Sequence, residues 1–244
     1  MTDVPDRFCI PGDYVCNPAV PTVAPDSGDY WDDDRIDTSL NYQFAIYHWA
    51  ARLIAEHGFA SVADIGCGVG TKLVELHRRH PQTEIWGFDR RPAIEICRRR
   101  HGFGNWREAD LEQPMTFRER KFDLAIASDV IEHLENPDLL LQFLESVVAS
   151  SGYILLSTPE RLRLRGRACR HSPNRCHVRE WSREELASFL AGRGFRIVEH
   201  RCLPAFRALG NLRFFRRALR RWLRGKSIRY NQAVLMQCTG RSDG

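Results

Sequence analysis

Three glycines at alternate positions, Gly66, Gly68 and Gly70, follow directly on a short apolar run that closes with an acid, Asp64, in VADIGCGVG. Chain without β-carbons at that spacing lets the backbone come close to a ligand, and a helix beginning behind it aims free amides at the same point. Two more acids, Asp89 in EIWGFD and Asp110 in READL, stand at the ends of the next two apolar runs. Carboxylates so placed accept hydrogen bonds, from a cationic amino group at Asp64, a ribose hydroxyl at Asp89 and an adenine amino group at Asp110. A dinucleotide fingerprint requires its third glycine at position 71, where Thr71 stands, and a ligand with a pyrophosphate is served by a phosphate cradle rather than by acids.

Two histidines are placed to move a proton. His133 lies in DVIEHL, just past a further apolar run, and His177 lies in HVREW with Glu180 three residues on. Each has a plainer reading: His133 packs the adjoining turn, and His177 and Glu180 hydrogen-bond to each other within a loop. Cys169, His171, Cys176 and His177 raise the question of zinc, but their spacing matches none of the usual structural zinc patterns and two of them are adjacent, so no metal is expected.

These residues need a frame that brings strand ends together. Apolar strand candidates run at 61–65, 84–88, 105–108, 122–127, 153–157, 196–201 and 233–238, with helical periodicity at 41–57, 71–80, 92–101 and 137–150. Strand and helix in alternation predict an α/β fold with a parallel sheet covered on both faces, and ligands of such sheets sit beyond the carboxyl ends of the strands. Ser182 with Glu185 reads as a capping box that starts another helix. A length of 244 residues with 43% hydrophobic content is enough for one domain with its own core. No apolar stretch is long enough to span a membrane and the amino terminus does not read as a leader, so a cytoplasmic protein is expected, with its eight cysteines reduced.

The set of motifs closely resembles class I S-adenosylmethionine-dependent methyltransferases, whose first motif, D/E-x-G-x-G-x-G, is matched by Asp64, Gly66, Gly68 and Gly70. The similarity continues through Asp89, Asp110 with Leu111, FDLAIASDVIEHLENPD at 122–138 and SSGYILLSTP at 150–159, where Ser151 replaces a frequent glycine. It implies a Rossmann-like sheet of seven strands, six parallel and the last antiparallel, and S-adenosylmethionine as cofactor. It further implies that Gly66, Cys67, Gly68 and Gly70 pass beside the methionine part. Asp89 and Arg90 would meet the ribose, Asp110 and Leu111 the adenine, and Ser128 and Asp129 the floor beneath the sulfonium. HVREW resembles a segment of family members often tied to glycan or natural-product synthesis, which implies a lid over 159–181 with His177 and Glu180 at the acceptor. In similar enzymes the segment before the first helix walls the substrate site, which brings in Tyr42.

The expected function is O- or N-methylation of a small-molecule, glycan or lipid-linked acceptor by direct displacement. Enzymes of the family that methylate nucleic-acid amino groups carry an NPPY-like stretch where this chain reads SDVIEH, and those that methylate cytosine carbon need a cysteine that is missing between Cys97 and Cys169. An RNA or tRNA methyltransferase and a non-catalytic partner subunit that binds the same cofactor are the alternatives, with a nicotinamide-dependent reductase behind them.

Charge is distributed unevenly. Residues 1–38 hold nine aspartates against Arg7 and Arg35, which predicts an irregular acidic arm over 1–40 ahead of a methyltransferase domain over 41–244. Residues 204–227 carry seven arginines and Lys226 with no acid, with Leu212, Phe215, Leu219, Trp222 and Leu223 on one helical face. This basic insertion before the last strand suits a helix packed on its own domain, a helix lying on the anionic inner face of a membrane, or an RNA-binding face.

Overall fold

The computed structural model describes residues 7–19, 41–207 and 212–239. Seven strands, β1 (Ser61–Ile65), β2 (Glu84–Asp89), β3 (Asn105–Glu108), β4 (Phe122–Ser128), β5 (Val148–Pro159), β6 (Phe195–Leu203) and β7 (Asn231–Cys238), form one sheet in the order β3-β2-β1-β4-β5-β7-β6. The pairings among β1 to β5 are parallel, and β7 runs antiparallel between β5 and β6. This is the sheet that the family resemblance implies.

Both faces are covered, so the central strands are mostly apolar and buried. β1 is buried at all five positions. Side chains alternate between two cores. Val62, Leu124 and Ile126 face α1 (Phe44–His57), α2 (Thr71–Arg79) and α3 (Arg91–Arg100), where they meet Ile46, Trp49, Leu53, Leu73 and Ile94. Ala63, Ile65, Ala125 and Ala127 face α4 (Pro137–Val147) and α6 (Arg183–Ala191), among Leu140, Phe143, Trp181 and Phe189. The one-turn helix α5 (Arg161–Leu164) and the basic helix α7 (Leu212–Leu223) complete the elements.

Several boundaries differ from the sequence reading for identifiable reasons. α1 begins at Phe44 rather than 41 because Gln43 takes a left-handed φ of 58°, and it stops where Gly58, φ 67°, returns its N–H to the Ile54 carbonyl. α4 ends at Val147, since Val148 already pairs with Phe122 as the start of β5. The capping box at Ser182 forms with both of its hydrogen bonds. Of the basic segment, residues 208–211 lie outside the described residues, and the helix occupies 212–223.

The segment 159–181, expected as a lid, is hydrogen-bonded to the amino-terminal segment. Residues 7–19, with neither helix nor strand, clamp it: the Val15 N–H donates to the Arg170 carbonyl, and the Asn17 N–H donates to that of Val178. The Asn17 amide also donates to the carbonyls of Ser172, Asn174 and His177. The rest of the expected acidic arm lies outside the described residues. No helix among the described residues is long and apolar enough to cross a membrane.

Candidate active site

The strand order reverses between β1 and β4, and every residue singled out by the motif spacing up to Asp129 stands at the carboxyl edge around that point. Gly66, Gly68 and Gly70 all adopt positive φ, at 80°, 57° and 71°. A β-carbon on Gly66 would lie 2.4 Å from a methyl of Val130, and one on Gly70 2.8 Å from the Trp106 ring, so only glycine fits either position. The turn is tied to its neighbours. The Gly66 and Cys67 N–H groups donate to the Phe88 carbonyl at 2.7 and 3.2 Å, and the Cys97 thiol meets the Gly68 carbonyl at 3.3 Å.

Asp64 is fully buried on the α1 side of β1, where its Oδ2 accepts from the Tyr47 hydroxyl at 2.8 Å. Among the described residues its Oδ1 has no partner. Burial pushes its pKa up to about 7, opposed by the Tyr47 hydrogen bond and the nearby Lys72 charge and reinforced by Asp89. A buried carboxylate oxygen without a donor is costly, and a cationic ligand group reaching it removes the cost.

Asp89 holds the glycine turn as well as facing the site: Oδ2 accepts from the Gly68 N–H and Oδ1 from the Arg90 N–H, both at 2.7 Å. Each oxygen keeps a further lone pair. Asp110 is exposed, with Oδ1 3.6 Å from the Arg90 guanidinium, and Leu111 is half-buried behind it. Ser128 is buried with its hydroxyl 3.0 Å from that of Ser157.

Asp129 opens the second half of the edge. It takes a left-handed φ of 54°, a costly conformation for a non-glycine residue, and is fixed there by several bonds. Its N–H donates to the Ser157 carbonyl, and its carboxylate accepts from the Ser157 hydroxyl at 2.8 Å and the Asn231 amide at 2.9 Å. Next to it lies a cavity of about 510 Å³, bordered by Tyr42, Asp129, Glu132, His133, His177 and Asn231.

The two histidine rings meet edge-on, centroids 4.8 Å apart. His133 Nδ1 lies 2.7 Å from the Cys176 carbonyl oxygen, which only accepts, so Nδ1 carries the proton. Burial, with the charge of His177 adding to it, pulls the His133 pKa down to about 4. His177 Nδ1 is 2.7 Å from Glu180 Oε1, so the expected loop hydrogen bond between these two is formed.

Glu180 departs from its expected place at the substrate. It is fully buried behind His177, where Arg165 grips both carboxylate oxygens at 3.0 and 2.7 Å and the Ser172 hydroxyl donates at 2.8 Å. Burial alone would raise its pKa, but the His177 and Arg165 hydrogen bonds prevail and hold it at about 2. A carboxylate so engaged orients His177 and does not reach the cavity. The Cys/His set is dispersed in its bonding: the Cys169 thiol donates to the His171 carbonyl, and Cys176 is exposed.

Five residues that the motifs did not single out also shape the site. Tyr47 and Lys72 flank Asp64, while Glu132, Arg165 and Asn231 belong to the cavity or support it. Lys72 follows directly on the glycine turn and Glu132 adjoins His133, so adjacency was a usable signal for those two. Nothing in the local sequence marks the others.

A model of the methyltransferase-domain family matches residues 41–200. Among curated proteins, the chain is 39% identical over 72 residues to the methyltransferase ungE' of Aspergillus campestris, 27% of this chain and 21% of that protein. It is 33% identical over 103 residues to the trans-aconitate 2-methyltransferase of Escherichia coli, 41% of this chain and 39% of that protein. The matches thus span well under half the length of these relatives. Among solved structures, the plantazolicin methyltransferase BpumL in complex with SAH superposes with a TM-score of 0.59 at 17% identity, covering 86% of this chain and 92% of that one, which shows a shared fold.

Proposed function

The chain belongs to the methyltransferase-domain family, and from that premise we propose that it transfers a methyl group from S-adenosylmethionine to a small-molecule or glycan-type acceptor, on oxygen or nitrogen, by direct displacement. One observation carries the reading: the unpartnered, buried Oδ1 of Asp64 at the mouth of a turn that admits only glycine. That pair suits an ammonium and a close-lying aminoacyl chain, and gives no phosphate cradle.

Bound there, S-adenosylmethionine supplies a methyl group made electrophilic by its sulfonium. Asp64 takes the ammonium, and the backbone at Gly66, Cys67, Gly68 and Gly70 passes along the methionine part. Asp89 accepts from the ribose hydroxyls with Arg90 beside it, Asp110 and Leu111 border the adenine, and Ser128 and Asp129 form the floor. In-line displacement asks the protein mainly for alignment and exclusion of water. The cavity bordered by Tyr42, His133 and His177 adjoins Asp129 and takes part of its lining from the clamped 159–181 segment, which supports it as the acceptor subsite. The two imidazoles then border the bound acceptor, and Glu180 positions His177.

The relatives named above act, by their names, on trans-aconitate and plantazolicin, which supports a small organic acceptor over nucleic acid. The basic helix adds a location. Phe214 is its one fully buried side chain, packed against Tyr42 and Phe206, while Leu212, Phe215, Leu219, Trp222 and Leu223 stand exposed, Trp222 at 72%. Arginines flank that exposed apolar stripe, so the face complements an anionic lipid surface and would keep the enzyme near a lipid-linked acceptor.

The test of the reaction is incubation of the purified chain with methyl-labelled S-adenosylmethionine and fractionated small molecules and lipid extracts. Label in an organic-soluble or low-mass product is the expected result. Calorimetric titration that shows uptake of a nicotinamide nucleotide and none of S-adenosylmethionine would overturn it.

A further inference from the structure

We propose that Glu132, His133 and His177 form a binding site for one divalent first-row transition-metal ion at the acceptor end of the cavity. One ligand atom from each of these residues lies within 4.8 Å of the others, and all three border the same cavity. The sequence reading expected no metal after weighing Cys169, His171, Cys176 and His177, a set that shares only His177 with this one, and spacing along the chain does not bring Glu132 and His133 to His177.

Three features make this a site rather than a coincidence of polar groups. First, each histidine has its Nδ1 proton committed, His133 to the Cys176 carbonyl and His177 to the Glu180 carboxylate, both at 2.7 Å. That fixes the tautomer and leaves Nε2 of each as a bare lone pair, which is the usual state of a metal-ligating imidazole with its outer hydrogen bond. Second, Glu132 is 1% exposed; its Oε2 accepts from the Thr158 hydroxyl at 2.9 Å while its Oε1 has no partner among the described residues. That orphaned oxygen is 4.0 Å from His133 Nε2, too far for a hydrogen bond and a natural separation for two atoms awaiting a common centre. Third, the outer support is rigid. Arg165 and Ser172 lock Glu180 behind His177, and the Glu132 carbonyl accepts from the Val178 N–H at 2.8 Å, which ties the two ligand-bearing segments together.

Two imidazoles and one carboxylate choose the ion class. Magnesium and calcium favour all-oxygen shells, whereas imidazole with carboxylate suits zinc, cobalt, nickel, manganese or iron. Bonds of about 2.1 Å bring neighbouring donor atoms to roughly 3.4 Å, so the side chains close in by about an ångström. Three protein ligands leave positions open toward the cavity, where an acceptor bearing a hydroxyl or carboxylate oxygen can complete the shell. This use of the ion rests on the methyl-transfer reading, while the existence of the site does not.

The experiment is titration of the chelator-stripped full chain with cobalt(II), followed by visible absorption, alongside calorimetric titration with S-adenosylmethionine. One cobalt per chain is expected, with ligand-field bands and no thiolate charge-transfer band. Glu132→Gln and His177→Gln should each weaken cobalt at least tenfold, and Glu180→Gln about ten- to a hundredfold as an outer-shell loss, with S-adenosylmethionine affinity in each variant reporting an intact fold. Absence of stoichiometric cobalt in the native chain overturns the proposal, as does a thiolate band or binding unchanged in Glu132→Gln and His177→Gln, either of which would assign the ion to the cysteines or the surface. If S-adenosylmethionine binds and cobalt does not, the metal site alone falls; if cobalt binds and S-adenosylmethionine does not, the site stands and the methyl-donor reading falls.

Discussion

The two halves of the carboxyl edge are built in different ways. On the β1–β3 side the groups that would meet a ligand are backbone of a glycine turn and acids at strand ends, all within residues 64–111 and held by bonds from main-chain N–H groups such as that of Gly68 to the Asp89 carboxylate. On the β4–β7 side they are side chains from separated segments, Tyr42, Asp129 to His133, His177 and Asn231, each oriented by a second side chain or carbonyl. The first half is fixed by the fold itself and suits an invariant donor. The second depends on loops and on the 7–19 clamp, the kind of construction in which a family can change acceptor without disturbing the sheet.

That contrast breaks down first if the glycine turn tolerates a side chain. Gly66→Ala brings a β-carbon to 2.4 Å from Val130 at a φ of 80°, and is expected to abolish S-adenosylmethionine binding and to cost about 1–3 kcal/mol of stability. Calorimetry and thermal melting read both effects. Adding Val130→Ala relieves the clash but not the backbone strain, so recovery should be partial.

Asp64→Asn keeps the Tyr47 contact and removes the charge, and should weaken S-adenosylmethionine ten- to a hundredfold, the worth of about 1.5–3 kcal/mol for a charged hydrogen bond. The raised Asp64 pKa, about 7, adds a sign. Below that pH the carboxyl is protonated and cannot pair with an ammonium, so the native affinity should fall as pH drops from 8 to 6, and the asparagine variant should not follow.

Glu180→Gln acts on the other half. It should lower methyl transfer roughly ten- to a hundredfold by releasing His177, with donor affinity unchanged within twofold. A parallel loss of donor affinity in isothermal titration would show that the halves are not separable.

The smallest effect is expected outside both. Leu219→Ser with Trp222→Ser should leave the melting temperature and transfer to a soluble acceptor near native values, since both side chains are exposed. Sedimentation with vesicles rich in anionic lipid should be lost, and in the native chain it should weaken with salt. Equal sedimentation of native and variant chains would remove the membrane role of α7.

The donor half was legible because its determinants are local. Apolar runs gave β1 and β3 to the residue, and the acids at their ends with the intervening glycines carried the rest. The acceptor half was legible only where residues sit beside a motif. Glu180 was assigned to the substrate because it shares a loop with His177, but which side of a loop faces a cavity is decided by Arg165 and Ser172, and no periodicity reports that. Asn231 opens a strand called from Ala233 onward, and its bond to Asp129 exists only once β7 lies antiparallel against β5. For α7 the 3.6-residue pattern gave the apolar stripe, while its exposure and the burial of Phe214 instead are decided by how the helix packs on Tyr42 and Phe206.

Titration of the purified native chain and its Asp64→Asn variant with S-adenosylmethionine, at pH 8 and pH 6, bears most directly on the donor pocket. Binding of one molecule per chain, tighter at pH 8 in the native protein and weak at both pH values in the variant, is the predicted result. Native and variant chains that bind alike, or a native chain that takes no S-adenosylmethionine at either pH, would contradict it.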